Sequence, residues 1–486
     1  MQGNPSARRS AVRSGVVTGL SIAAVSGAAA VAGAILSRKF GHGVKAAGFF
    51  GAYGVYVALV LVANALRVVV LPRFARARAA GHLGREAGTW AGALALPLVP
   101  AIVVAIVWSG TIASALTGGG AKGDAAATLL PWLVPAAAAQ IYAGIGASAL
   151  AAFDDYTTAA VGFAVGAITS VVVIVTLVDA HGIVVFGWGL AASGAIAVGV
   201  PLVALALRGA IGLPGPDVLG RLWELVEGVS LPFAIQGLFV IANRFAIGLG
   251  SKQGSTFAYA YLIAALLVAV TASSLALVSS VPLTRDGLTA ERTARHVVAA
   301  SWLSLALIAA AAGVFAIAGE RIVHVALGAH YAGATGSELG RLVVYLSPWM
   351  VASVAFSVAF PLLFVRGRAR WLPLLAVAAL LVHVPVEWAA RALLGLAGVA
   401  AGMAVTTGAV LVVLLAALGA LAPTLRGLVV AAVTCGGLAA ICFAVPGALL
   451  GPVAAALVGL ALYGGALLAW RPAGLRAAWH YVRTLR

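Results

Sequence analysis

Charged residues are scarce in this 486-residue chain. Asp, Glu, Lys and Arg make up 9% of it, 63% is hydrophobic, and the mean hydropathy is +1.11. A water-soluble protein of this length needs far more charge to cover its surface, so that class is excluded. Cysteine is limited to Cys435 and Cys442. Two turns of one helix separate them, about 10 Å along the axis. That is too far for a disulfide, so both are expected to pack as small apolar groups. Also missing are a lysine-bearing phosphate loop, a metal-ligand cluster and a serine–histidine nucleophile elbow. The opening MQGNPSARRSAVRSG is polar and basic. The apolar run after it is long enough to span a bilayer, so no cleavable leader is expected.

What remains is apolar sequence of membrane-crossing length, recurring from end to end. This specifies an all-α integral membrane protein. About fourteen spans are expected, near 15–36, 47–71, 89–109, 127–151, 158–178, 183–207, 228–249, 256–282, 297–318, 342–365, 371–393, 395–418, 426–447 and 449–470. The formal net charge of +17 then belongs to short loops between spans rather than to a nucleic-acid surface. With the N-terminus in the cytoplasm, about 20 Lys and Arg fall inside and about 8 outside. Both termini are therefore expected in the cytoplasm. Arg67 and Arg244 are left over within spans.

The expected division is a cytoplasmic tail (1–14), an N-lobe of six spans (15–207), a linker (208–227), a C-lobe of six spans (228–424), two further spans (425–470) and a basic cytoplasmic tail (471–486). In the linker, Leu219, Leu222, Trp223 and Val226 share a face, with Arg221 and Glu224 elsewhere. That pattern suits an amphipathic helix on the inner surface. An internal repeat supports two lobes. FGHGVKAAGFF from Phe40 matches IGLGSKQGSTF from Ile247 at Gly41/Gly248, Gly43/Gly250, Lys45/Lys252 and Phe50/Phe257. Each copy follows the first span of its half in the same orientation. The lobes are thus expected to be related by a parallel pseudo-two-fold along the membrane normal, with substrate bound between them.

Several polar residues fall within spans. Tyr53, Tyr56, Asn64 and Arg67 share one helical face. A guanidinium grips phosphate oxygens in a bidentate way, and aromatic rings stack on sugars. Arg67 also lies near a span end, where an arginine can snorkel to the interface, so both readings stay open. Gln236, Asn243 and Arg244 form a similar set in the seventh span. Arg67 and Arg244 would each lie toward one opening and pass an anion between them. Ser14, Thr18 and Ser21 make a stripe suited to helix contacts. Gln140 and Tyr142 are weaker cavity candidates. His383, Glu387 and Arg391 rise along one face at i, i+4 and i+8. Glu387 can pair with Arg391 and His383 can titrate near neutrality, as a proton-coupling site or as a structural ion-pair ladder. Pro385 is a candidate hinge. Asp154 and Asp155 read as a solvated turn rather than an acid–base pair.

ILSRKFGHGVKAAGFFGAYGVY followed by LPRFARA resembles the first two helices of the MOP flippase superfamily, which holds the polysaccharide (Wzx-like), MurJ-like and MATE branches. NRFAIGLGSKQGSTFAYAYLIAALL resembles its seventh and eighth helices, and VALGAHYAGA an outer-loop segment of its polysaccharide branch. The resemblance covers the first twelve spans in order. It implies two six-helix lobes alternating between inward-open and outward-open states, plus two C-terminal helices. The implied cargo is a polyprenyl-(pyro)phosphate-linked saccharide, flipped to the outer leaflet for cell-wall or exopolysaccharide synthesis in a bacterial plasma (inner) membrane. Ser26, Ala32 and Ala47 stand where the MurJ-type pattern has two arginines and an acid. No enzymatic step and no cofactor is expected. Coupling to membrane potential, protons or sodium is left open. The expected partners are the lipid-linked saccharide, membrane lipids and polysaccharide-assembly proteins, with no nucleic acid, and the protein is expected to be a monomer. A MATE-like small-molecule exporter and a polytopic lipid-sugar transferase or ligase remain alternatives.

Overall fold

In a computed structural model, the backbone is described at 5–286, 289–366 and 370–484. The side chains of 5–20, 22, 23, 61, 64, 65, 68, 270–286, 365 and 481–484 lie outside that description. Among the expected site residues this affects Ser14, Thr18 and Asn64.

The chain is helical throughout, with no strand among the described residues. In order, the helices are α1 (Pro5–Phe40), α2 (Val44–Ala79), α3 (Leu83–Val107), α4 (Ser109–Thr117), α5 (Gly120–Ala152), α6 (Tyr156–His181), α7 (Val184–Leu207) and α8 (Val218–Ile247). They continue with α9 (Ser251–Asp286), α10 (Ala290–Leu327), α11 (Ala334–Tyr345), α12 (Ser347–Val365), α13 (Leu372–Ala417), α14 (Leu421–Leu449), α15 (Pro452–Trp470) and α16 (Ala473–Thr484). Ten of them are long and apolar enough, among the described residues, to cross a membrane. Their outward faces carry Val, Leu and Ile, such as Val172 and Val175 of α6, because lipid rather than water covers them. The chain is a multi-pass membrane protein.

At 46 residues, α13 would be about 69 Å long if straight, more than twice a hydrocarbon core. It is not straight. Gly395 adopts φ 61° and ψ −130°, and the chain reverses there. The two limbs then pack antiparallel. A Cβ at Gly398 would strike the carbonyl of Ala390, and one at Gly402 would lie 2.8 Å from Glu387 Oε1. The expected spans 371–393 and 395–418 are therefore one helical hairpin. Pro385 does not act as the break, since the backbone leaves helical geometry only at Gly395.

Contacts group the chain into two units. The first is Met1–Val240 with Leu372–Ala376, the second Ile241–Trp371 with Val377–Arg486. In the first unit α5 is the central helix and packs closely on α2, since a Cβ at Gly48 would lie 2.8 Å from Ala125 Cβ. Leu66, Val70, Phe74, Trp90, Leu94, Ile141 and Leu150 form a continuous core where α2, α3 and α5 meet. The expected linker is in two parts. Its first part, 208–217, is non-helical and lies along α3. Gly84, Gly88 and Gly212 allow the two backbones to touch, and the backbone N–H of Gly215 donates to Thr89 Oγ1 at 2.8 Å. Its second part is not a separate amphipathic helix but the start of α8. There Leu225 is buried and Leu222 packs on the core, while Leu219 and Trp223 remain exposed. In the second unit α10 is the central helix, with α12, α14, α15 and α16 against it. Tyr463 of α15 donates to the carbonyl of Ala306 at 3.0 Å. Cys435 and Cys442 are buried free thiols.

Candidate functional site

The tyrosines of α2 fall where their spacing places them. Phe49 stacks on Tyr53 (centroids 5.1 Å apart, planes 17°), and Tyr53 stacks on Tyr56 (5.5 Å, 23°). Phe186 of α7 meets Phe49 edge-on at 5.5 Å. Residues three and four apart share a helical face, which lets successive rings stack. About 16 Å farther along α2, by rise per residue, comes Arg67. Its guanidinium lies 5.4 Å from the centre of the Phe163 ring of α6, a cation–π contact. Arg67 is half-buried, and no carboxylate lies within ion-pair distance of it among the described residues. Nothing in the sequence marked Phe163.

Within α8, Gln236 and Asn243 are buried, at 3% and 2% exposure, and Arg244 is half-buried. Gln236 belongs to the first unit and Asn243 and Arg244 to the second. Arg244 and Arg391 come together at Gly248. A Cβ there would lie 3.2 Å from Arg391 Nη1 and 3.5 Å from Arg244 Nη1. The Arg391 guanidinium also sits 5.9 Å from the Phe245 ring. Two guanidinium groups from distant stretches of sequence thus converge on one spot of bare backbone.

This placement corrects one expectation. Glu387 does not pair with Arg391, which is directed at Phe245 and Gly248. Instead Glu387 Oε1 lies 3.3 Å from His383 Nε2, and both side chains are fully buried. His383 Nδ1 is 2.9 Å from Thr406 Oγ1 on the opposite limb of α13. Gly402, also on that limb, leaves the space that the Glu387 carboxylate fills. The 3.3 Å contact is an ion-pair distance. Neither Glu387 oxygen accepts a well-directed hydrogen bond from the described residues.

The other polar candidates are structural. Ser21 Oγ donates to the carbonyl of Ala160 at 2.7 Å, and Tyr142 donates to that of Ala91 at 3.3 Å. Gln140 is half-buried in α5. Asp154, with φ 61°, is exposed and 3.4 Å from Arg78. Asp155 caps α6 by accepting from the backbone N–H of Thr158 at 3.0 Å, and it pairs with Arg208 at 2.6 Å. Its partial burial works to raise its pKa. The hydrogen bonds from Thr158 and Arg208 outweigh this and hold the carboxyl below its usual range. At the same end of the first unit, Arg221 joins three helices. Its Nε lies 3.1 Å from Glu86 Oε1 and its Nη1 is 3.0 Å from Glu224 Oε1, while Glu224 Oε2 pairs with Arg73 at 2.7 Å. Glu86 Oε1 also accepts from Trp90 Nε1 at 3.1 Å. No group of three or more His, Cys, Asp or Glu able to hold a metal occurs among the described residues.

The fold is similar to that of solved MOP-superfamily transporters. A structure of the lipid II flippase MurJ, inward closed, superposes with a TM-score of 0.73 over 95% of this chain and 99% of that one, at 11% identity. An inward-facing multidrug resistance MATE transporter of the MOP superfamily gives 0.66 over 82% and 94%, at 17% identity. A MOP transporter from Pyrococcus furiosus, described as having a binding pocket of reversed polarity, gives 0.57 over 89% and 97%, at 15% identity. No family model matches the sequence, and no curated protein matches it.

Proposed function

We propose that this chain flips a polyprenyl-(pyro)phosphate-linked saccharide from the cytoplasmic to the outer leaflet of a bacterial inner membrane. It works by alternating access, with both termini cytoplasmic and no covalent change to the cargo. The observation that carries this reading is Arg67, a half-buried cation inside α2 with no described carboxylate beside it. An intramembrane charge is costly and is kept where it serves a polar cargo or a partner. A guanidinium suits pyrophosphate, and the Phe49–Tyr53–Tyr56 stack on the same helix offers aromatic faces for sugar rings. The likeness to the structure of a lipid II flippase supports the same class of cargo. Asn64, Gln236, Asn243, Arg244 and Arg391 are the further candidates for headgroup contact. The membrane potential is the proposed driving force, with His383 and Glu387 as a secondary coupling candidate. Polysaccharide-assembly proteins are the proposed partners of the monomer.

The test is reconstitution in liposomes with a fluorescent polyprenyl-pyrophosphate saccharide. Removing a charge-assisted phosphate contact worth about 1.5–3 kcal/mol should slow flipping roughly 10- to 100-fold in Arg67→Gln. Arg67→Lys should be intermediate, because it keeps charge but loses the fork. Flipping at wild-type rate in Arg67→Gln would overturn the reading. The fold likeness to MATE structures keeps one second reading, export of a small molecule. Uptake of lipophilic cations with no lipid flipping would establish it, and formation of a new glycolipid by the purified chain would instead reveal a transferase.

A further inference from the structure

The second unit contains a cavity that the transport reading does not use. It is an open cleft where α10, α14 and α16 meet, with a volume of about 800 Å³, within the usual range of ligand sites, about 300–1,000 Å³. Its wall is graded. Val298, Ala299 and Trp302 of α10, Pro423 and Gly427 of α14, and Ala477 of α16 make it apolar, while Glu291, Arg295 and His480 also line it. Along α10, Arg295 precedes Trp302 by about 10 Å. That is the order, polar then apolar, met on passing from lipid headgroups into the acyl region.

The surroundings are those of a membrane surface. Only Arg471 and Pro472 separate α15 from α16, so α16 starts where a span ends. Trp470 and Trp479 are 62% and 53% exposed, as aromatic side chains at an interface are. Gly474 lies against the Trp302 ring, which seats α16 on α10 and closes one side of the cavity. Exposed Arg292, Arg426 and Arg476 stand beside the lining residues in sequence or one helical turn from them, and Glu291 is the one acidic residue of the lining.

We propose that this cavity is a binding site for an anionic membrane phospholipid. One acyl chain would lie in the cavity against Val298, Ala299 and Trp302 of α10 and Pro423 of α14, and the phosphate would sit by Arg295 and His480, with α16 held against α10 by the bound lipid. The apolar wall explains the tail, and the excess of cations explains the choice of headgroup. This inference is independent of the transported cargo.

The full-length protein should be purified in mild detergent and titrated with phosphatidylglycerol or phosphatidylcholine, with native mass spectrometry counting retained lipid. Wild type should retain phosphatidylglycerol preferentially. Arg295→Gln should weaken that preference roughly fivefold, the fold-change of ~1 kcal/mol per cation at an anionic surface. Ala477→Phe fills the cavity from an exposed position and leaves every cation in place; it should abolish retention. A monodisperse elution profile and an unchanged circular dichroism spectrum would show that both variants fold. Loss in Arg295→Gln but not in Ala477→Phe would mean surface adsorption and overturn the site. Equal retention of both lipids would also overturn it. A wild-type dimer that Ala477→Phe dissociates would assign the groove to a second copy of the chain instead.

Discussion

Gly402→Ala tests the α13 hairpin and the buried Glu387 together. An added Cβ would lie 2.8 Å from both Cδ and Oε1 of Glu387 and 2.9 Å from Oε2. These are overlaps with all three carboxyl heavy atoms, not a graze at one. Glu387 is fully buried, so its carboxylate has no solvent to swing into, and it already sits 3.3 Å from His383. Overpacking of this kind costs about 1–3 kcal/mol. Against it stands the helix preference of Ala over Gly, about 1 kcal/mol. The net expectation in the native background is a loss of up to about 2 kcal/mol. In a Glu387→Ala background the overlap is gone and only the helix preference remains. The same substitution should then stabilise by up to about 1 kcal/mol. The predicted result is a reversal of sign across a double-mutant cycle, read from unfolding in detergent by circular dichroism against added denaturing surfactant. Additive effects in the two backgrounds would refute the reasoning. They would mean that the limbs on either side of Gly395 do not face each other at this level.

Other outcomes follow from the ion pairs of the first unit. Glu86→Gln removes a carboxylate, 14% exposed, that serves both Arg221 and Trp90, and should destabilise by about 1–3 kcal/mol in the same unfolding assay. Arg73→Gln, at a site a third exposed, should cost less than about 1 kcal/mol. Asp155 is held below its usual pKa, so its contribution is fully present above about pH 4, its unfolded range, and fades as pH falls through the folded value. The stability difference between wild type and Asp155→Asn should therefore be constant from pH 7 to 5 and shrink toward pH 3. A difference that instead grows on acidification would contradict the cap and pair seen at Thr158 and Arg208.

How far such features can be read ahead depends on whether they are local. Tyr53 and Tyr56 stack because residues three apart share a helix face, and sequence spacing carries that directly. The apolar runs carry the helices for the same reason. Arg67 was legible as a cation within an apolar helix, but its seat on Phe163 was not, because it depends on how α6 lies against α2. Glu387 shows the limit most clearly. On one helix it has two partners at equal distance in sequence, His383 at i−4 and Arg391 at i+4, and i,i+4 geometry cannot choose between them. The choice is made across the Gly395 reversal. Thr406 orients His383, Gly402 opens the space beside Glu387, and Arg391, nearer the turn, is directed to Phe245 and Gly248. The meeting of Arg391 with Arg244 has the same origin, since 147 residues separate them in sequence. The convergence that makes these two arginines of interest as anion ligands is therefore a property of the folded second unit. A charge-reversing pair tests it: Arg391→Glu should be tolerated because Arg244 would become its partner, whereas adding Arg244→Glu should place two carboxylates together and destabilise the unit. Equal stability of the single and double variants would show that the two side chains do not share a site.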